Sequence, residues 1–170
     1  KYSELCFLKA IAIELGLVSG DAKSEYEAGV RSSMTELGVP ESNIVSYLAS
    51  TSPNYYGTTA SYDDITGTSN TALDKILTQK YIAQFQECSF ETWADHRQFH
   101  KPTLMPFASV SSSVFNMNPS DQANNTPNAY IKRIYYPSSE YTVNATNVKE
   151  AESRMGGNNS IQNNVWWDVN

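Results

Sequence analysis

The chain has 170 residues, 40% hydrophobic and 18% charged, with a formal net charge of −6. That length suffices for one domain with a real core, or for part of a larger one. The acidic balance, without any run of Lys or Arg, argues against a nucleic-acid partner, and no apolar stretch approaches the roughly 20 residues needed to span a bilayer.

Lys1 leads directly into a helical pattern, with no Met, signal peptide or lipid-attachment Cys near the front. The chain is therefore expected to be the C-terminal part of something longer. Residues 3–17 are apolar on almost every side (Leu5, Phe7, Leu8, Ile11, Ala12, Ile13, Leu15), which predicts a helix sandwiched between neighbours. Asp21 is a good N-cap for a second helix, because its carboxylate can accept the orphan amides of the first turn. Ala22, Tyr26, Val30 and Leu37 form the apolar stripe of that helix, and Gly38 and Pro40 end it. Ala28 and Gly29 are small enough for close approach, so the pair reads as a helical hairpin of the tetratricopeptide kind. One such hairpin cannot bury both its faces.

A third helix is predicted over Glu41–Ala49, with Ile44, Val45 and Leu48 inward. Thr51–Asn70 has eight Ser or Thr, three tyrosines and no period, and reads as a long loop of the kind that tends to be functional or disordered. Helices over about 72–86 and 90–99 come next, then Pro102, Pro106 and a Ser- and Asn-rich stretch at 108–129. Tyr130–Pro137 is the one plausible extended piece. A last short helix carries Val148 and Ala151 and stops at Gly156-Gly157; the tail closes on Val165-Trp166-Trp167. No pattern supports a central sheet. The predicted class is mainly α: a tetratricopeptide-like helical hairpin followed by an irregular, loop-rich helical C-terminal region. Leu8, Leu15, Tyr26, Leu37, Ile76, Trp93 and Trp167 are the expected core. Cys6 sits among apolar residues and reads as a buried thiol, with a disulfide to Cys88 left open.

Two stretches carry a family resemblance. Lys75-Ile-Leu-Thr-Gln-Lys-Tyr-Ile-Ala-Gln-Phe85 and Phe90-Glu-Thr-Trp-Ala-Asp-His-Arg97 are followed by Pro102, and the spacing of Lys80, Trp93, Arg97 and Pro102 resembles the C-terminal signature of the SusD/RagB family. Tyr2-Ser-Glu-Leu-Cys-Phe-Leu-Lys-Ala10 upstream, and Arg133-Ile-Tyr-Tyr-Pro137 and Val165-Trp-Trp-Asp168 downstream, occur in the family's order. Members are nutrient-binding lipoproteins on the outer surface of Bacteroides-type bacteria. The resemblance implies that residues 1–170 are a single C-terminal portion of a SusD-like domain. It further implies capture of a glycan or other nutrient without catalysis, and delivery to a SusC-type TonB-dependent transporter at the outer membrane. The lipid anchor would lie outside this stretch, and no cofactor is implied.

His96 and His100 stand one helical turn apart near Glu91 and Asp95, a spacing that can hold zinc. No glutamate directly follows the first His, as a zinc-protease helix requires. Family members usually carry an aromatic and a glycine at these two places, so neither histidine inherits a role and no metal site is expected. Trp93 and Arg97 share a face, which suits a scaffold stack. Trp166 and Trp167 read as anchors of the tail. Tyr55, Tyr56 and Tyr62 are the candidate ligand contacts: they fill no period, and phenol rings offer both a stacking face and a hydroxyl, with Asn54, Asp63 and Asp64 beside them. No nucleophile–base set, phosphate loop or dinucleotide fingerprint is present. The alternative function is a helical-repeat module for protein–protein interaction.

Overall fold

The computed structural model describes residues 1–85, 87, 89–104, 131–161 and 163–168. The 108–129 stretch, Tyr130 and Cys88 lie outside the described residues, and so does any Cys6–Cys88 disulfide. Among the described residues there are seven helices and no strand: α1 (Tyr2–Glu14), α2 (Ala22–Glu36), α3 (Glu41–Leu48), α4 (Ala72–Ala83), α5 (Ser89–Phe99), α6 (Ser138–Val143) and α7 (Ala145–Arg154). None is long and apolar enough to cross a membrane. The chain forms two compact units, Lys1–Thr103 and Leu104–Asn170.

The first unit is built on the α1–α2 hairpin. Ser3, Cys6, Phe7, Ala10 and Ile11 of α1 are buried, as are Ala22, Tyr26, Gly29 and Val30 of α2. Gly29 lets the helices close: a Cβ there would stand 2.8 Å from the Phe7 ring, nearer than real contacts allow. Ile76 and Leu77 of α4 complete the core. The helix ends obey local chemistry. Asp21 Oδ1 accepts from Ser24 N at 3.2 Å. Gly38, at φ 77°, lets its own N–H reach Thr35 O and that of Val39 reach Met34 O, which closes α2.

The sandwich expected around α1 is one-sided. Leu5 and Leu8, on the face turned from the core, are 50% and 47% exposed. Gly16 adopts φ 70° and Leu17 N–H returns to Ala12 O at 2.9 Å, so α1 stops at Glu14 instead of continuing to 17. Leu15 therefore falls beyond the last helical turn and is exposed. Leu37 is 80% exposed for the same reason, as the C-cap of α2. Tyr26 and Ile76 are fully buried; Trp93 and Trp167 are half-buried. Of the residues expected inward on α3, Ile44 is buried, Leu48 half-buried and Val45 exposed, since this short helix packs on α2 along one side.

In the second unit, residues 131–137 run beside the 159–161 segment. Lys132 N and Arg133 N donate to Ile161 O at 2.8 and 3.3 Å. The piece is held but is not a strand. Pro137 then opens α6, a six-residue helix that the sequence pattern did not announce. α7 buries Val148 and ends before Gly156 and Gly157, both at φ 99°.

Candidate functional site

The tyrosine-bearing segment has no regular structure, yet side chains hold it tightly. Asn54 Oδ1 accepts from Tyr56 N (2.9 Å) and Thr58 N (3.1 Å), while its amide donates to Thr58 Oγ1 (2.9 Å). This turns the chain back on itself at Gly57, which sits at φ 80°. Asn70 is buried; its Oδ1 accepts from Thr59 N at 2.9 Å and its amide donates to Asp64 O at 2.7 Å and Thr66 Oγ1 at 2.9 Å. Tyr26 O–H donates to Ala60 O at 2.8 Å, and Lys75 Nζ, fully buried on α4, donates to Thr59 O at 3.1 Å and to the Thr59 hydroxyl. Burial pushes the Lys75 pKa down, against the opposing pull of Asp64 and Asp74. The loop is thus stapled to α2 and α4.

The three candidate tyrosines separate into two environments. Tyr55 is 69% exposed and meets Tyr56 edge-on, with centroids 5.5 Å apart. Tyr56 is half-buried and meets Tyr81 of α4 in the same manner at 5.6 Å. Burial first, then Tyr81, pushes the Tyr56 pKa up, so its hydroxyl stays protonated. The result is a short array of rings climbing from α4 to the loop tip, with edge-to-face contacts that favour a fixed geometry. Tyr62 packs instead against Tyr26 at 5.2 Å, joins the margin of the core, and donates its hydroxyl to the Glu14 carboxylate. Burial and then Glu14 push its pKa up. Chemically, Tyr55 and Tyr56 offer stacking surface and a phenol, whereas the polar tip of Tyr62 is already engaged.

The helical motif residues form a scaffold. Lys80, buried on α4, pairs with Asp95 of α5. The Arg97 guanidinium lies 3.7 Å from the centre of the Trp93 ring. Lys101 pairs with Asp74 at 3.0 Å, and Pro102 is buried. His96 is buried; His100 sits past the helix end at φ 53°, and the two rings are 6.4 Å apart. Among the described residues no group of three or more His, Cys, Asp or Glu is placed to hold a metal ion. At the tail Trp167 is half-buried, short of the core position expected of it, and Trp166 is 90% exposed and does not anchor the tail.

The family model described as "Susd and RagB outer membrane lipoprotein" matches residues 1–168. The chain belongs to the SusD/RagB family. A SusD homologue from Parabacteroides distasonis is 41% identical over 99% of this chain and 32% of its own, with a TM-score of 0.79. A chitin-binding SusD homologue from Flavobacterium johnsoniae is 30% identical over 99% and 36%, with a TM-score of 0.75. A third, from Bacteroides vulgatus, is 26% identical over 98% and 34%, at 0.74. No curated protein matches. This SusD/RagB chain thus spans about a third of the length of the solved structures it resembles. Its helical, tetratricopeptide-like character is that of the family.

Sequence reasoning missed three residues that make the ring array what it is. Tyr81 extends the array, but on α4 it reads as one more helical position. Asn70 looks like a loop polar residue, and Lys75 like a solvated one. The usable signal lay in α4 itself: Lys75, Thr78, Gln79 and Lys80 are consecutive-turn polar residues, too many for the buried face of an ordinary amphipathic helix.

Proposed function

We propose that this SusD/RagB chain takes part in capturing a glycan or other nutrient at the bacterial outer-membrane surface, without catalysing its breakdown. The captured ligand passes to a SusC-type TonB-dependent transporter. Membership of a family described as outer-membrane lipoproteins supports the location, and the chitin-binding relative supports a saccharide ligand. The observation that carries the reading within this chain is the Tyr55–Tyr56–Tyr81 array, exposed at Tyr55 and half-buried at Tyr56 and Tyr81, which runs from a side-chain-stapled loop onto α4. Saccharides present alternating apolar faces and hydroxyl edges, which pre-set aromatic rings with nearby polar groups recognise at low entropic cost. Of the loop's tyrosines, Tyr55 and Tyr56 make the contact and Tyr62 holds the loop against Tyr26.

The test is calorimetric titration of the chain with neutral hexasaccharides (chitohexaose, cellohexaose, maltohexaose). At least one should bind saturably, with no release of reducing ends. Tyr55→Ala combined with Tyr56→Ala should weaken that binding at least tenfold, about 1.4 kcal/mol, at nearly constant Tm. Tyr62→Ala should instead lower the Tm. Unchanged affinity in the double variant would take the loop out of the site. The alternative, a helical-repeat module for a protein partner, is favoured by the exposed Leu5 and Leu8 of α1. Failure of every saccharide, with binding only to a protein, would establish it.

A further inference from the structure

We infer that the second unit carries a neutral-saccharide subsite of its own, on residues distinct from the tyrosine loop. It rests on the glycan-capture reading and adds a second contact point to it. An open cavity of about 500 Å³ lies between the 135–138 segment, α6, α7 and the loop after α7. That volume falls within the roughly 300–1,000 Å³ of small-molecule sites. Among the described residues its side-chain surface consists of tyrosine rings, a carboxylate, amides and a hydroxyl, and no aliphatic side chain lines it. A peptide-binding groove would present aliphatic pockets. Rings among hydrogen-bonding groups match a sugar.

The rings are pre-set. Arg133, buried, lays its guanidinium 4.6 Å from the centre of the Tyr136 ring and donates to Asn159 Oδ1 at 2.9 Å. The same Asn159 oxygen accepts from Tyr136 N at 3.1 Å. Arginine and asparagine together fix both the backbone and the ring of Tyr136. From α6, the Tyr141 hydroxyl donates to Glu152 of α7. That bond first, then burial, pushes the Tyr141 pKa up, against the opposing hydrogen bond from the Asn159 amide, so the phenol stays intact. A carboxylate can accept several hydrogen bonds, and one phenol does not exhaust Glu152, which leaves it able to take sugar hydroxyls. Across the cavity, Gly157 sits at φ 99° and a Cβ there would meet nothing within 4 Å. The wall at that point is open backbone beside Asn158.

Charge narrows the class. Among the described residues no Lys or Arg lines the cavity, and the one formal charge in its lining is the Glu152 carboxylate, with the Arg133 guanidinium behind the Tyr136 ring. At the Glu152 carboxylate itself a sulfate or uronate would be disfavoured, whereas neutral hydroxyls are the donors that it can accept from.

Backbone NMR on the full chain tests this in a Tyr55→Ala, Tyr56→Ala background, which removes the loop's contribution. Chitohexaose, cellohexaose and maltohexaose are added in turn. The expected result is saturable amide shifts at Tyr136, Gly157 and Asn158 with at least one of them. Glu152→Gln should weaken these shifts' saturation at least fivefold, and Tyr136→Ala more. The unchanged spectrum of unliganded Glu152→Gln elsewhere serves as the folding control. Shifts in the wild type confined to residues 54–57 and 81 would overturn the subsite and leave glycan capture standing. No shift anywhere with any sugar, in wild type or variant, would overturn both.

Discussion

At Gly29 the contact is made by the side chain that is missing. Phe7 of α1 rests its ring edge against the α2 backbone, and three of its ring atoms lie 2.8–3.0 Å from where a Cβ would be. Helix propensity alone favours alanine over glycine by about 0.8–1.0 kcal/mol. The ring opposes that preference, because Phe7 is fully buried in the core cluster with Ala10, Tyr26 and Val30 and must leave its place there to admit a methyl group. Overpacking of this kind costs about 1–3 kcal/mol. Gly29→Ala should therefore destabilise the chain by about 0–2 kcal/mol net in urea denaturation. A gain in stability would show that the hairpin can spread without loss, and that Gly29 is not what sets its spacing.

At the scale of the element, α4 packs on both helices of the α1–α2 hairpin, and its start is set by one carboxylate. Asp74 accepts from Thr71 N at 3.0 Å and from the Thr71 hydroxyl at 2.7 Å, and pairs with Lys101 at 3.0 Å. Burial pushes its pKa up, but the Thr71 bonds and Lys101 outweigh that and hold it below the ordinary value of 3.8. A carboxyl with a lowered folded-state pKa stabilises fully above its unfolded value. That contribution disappears as the pH falls through the folded value. Asp74→Asn should cost about 1–3 kcal/mol at neutral pH. The gap between wild type and variant should be constant down to about pH 5 and narrow as the pH falls below about 4. A gap that does not depend on pH would mean that the ionised form is not what caps the helix.

The ends of α2 were legible because they depend on residues within one turn: Asp21 ahead of it, Gly38 behind. The seam between α1 and α2 was legible too, through Gly29, which meets Phe7, while its neighbour Ala28 is only half-buried. What the pattern of α1 could not reveal is which of its two apolar faces has a partner, so Leu8 was assigned to the core and proved exposed. α6 escaped because six residues ending in Thr142 and Val143 give no helical period. The loop was recognised as unpatterned, and its tyrosines as candidates. Its order comes from Asn70 and Lys75 reaching Thr59 across 11 and 16 residues, and such pairings leave no local trace. The same holds for Tyr81 beneath Tyr56, and for Tyr141 beside Glu152.

For the molecule as a whole, the balance between the two units decides where stability resides. Among the described residues, eleven buried apolar side chains belong to the first unit, from Cys6 to Leu77, and two, Val148 and Ile161, to the second. The first unit also satisfies its buried cations internally: Lys75 onto Thr59, Lys80 onto Asp95 and the partly covered Lys101 onto Asp74 all lie within residues 1–103. About 100 residues with one contiguous core is within the usual domain range. Residues 1–103 produced alone should therefore be helical by circular dichroism and unfold in one cooperative urea transition, at the low concentration that the exposed Leu5 and Leu8 require. Because the Tyr55–Tyr56–Tyr81 array lies wholly in that piece, it should keep the loop's share of hexasaccharide binding and lose the shifts assigned to the second unit. A non-cooperative melt, or a helical signal that appears only when residues 104–170 are attached, would show that the first core cannot stand without the second unit.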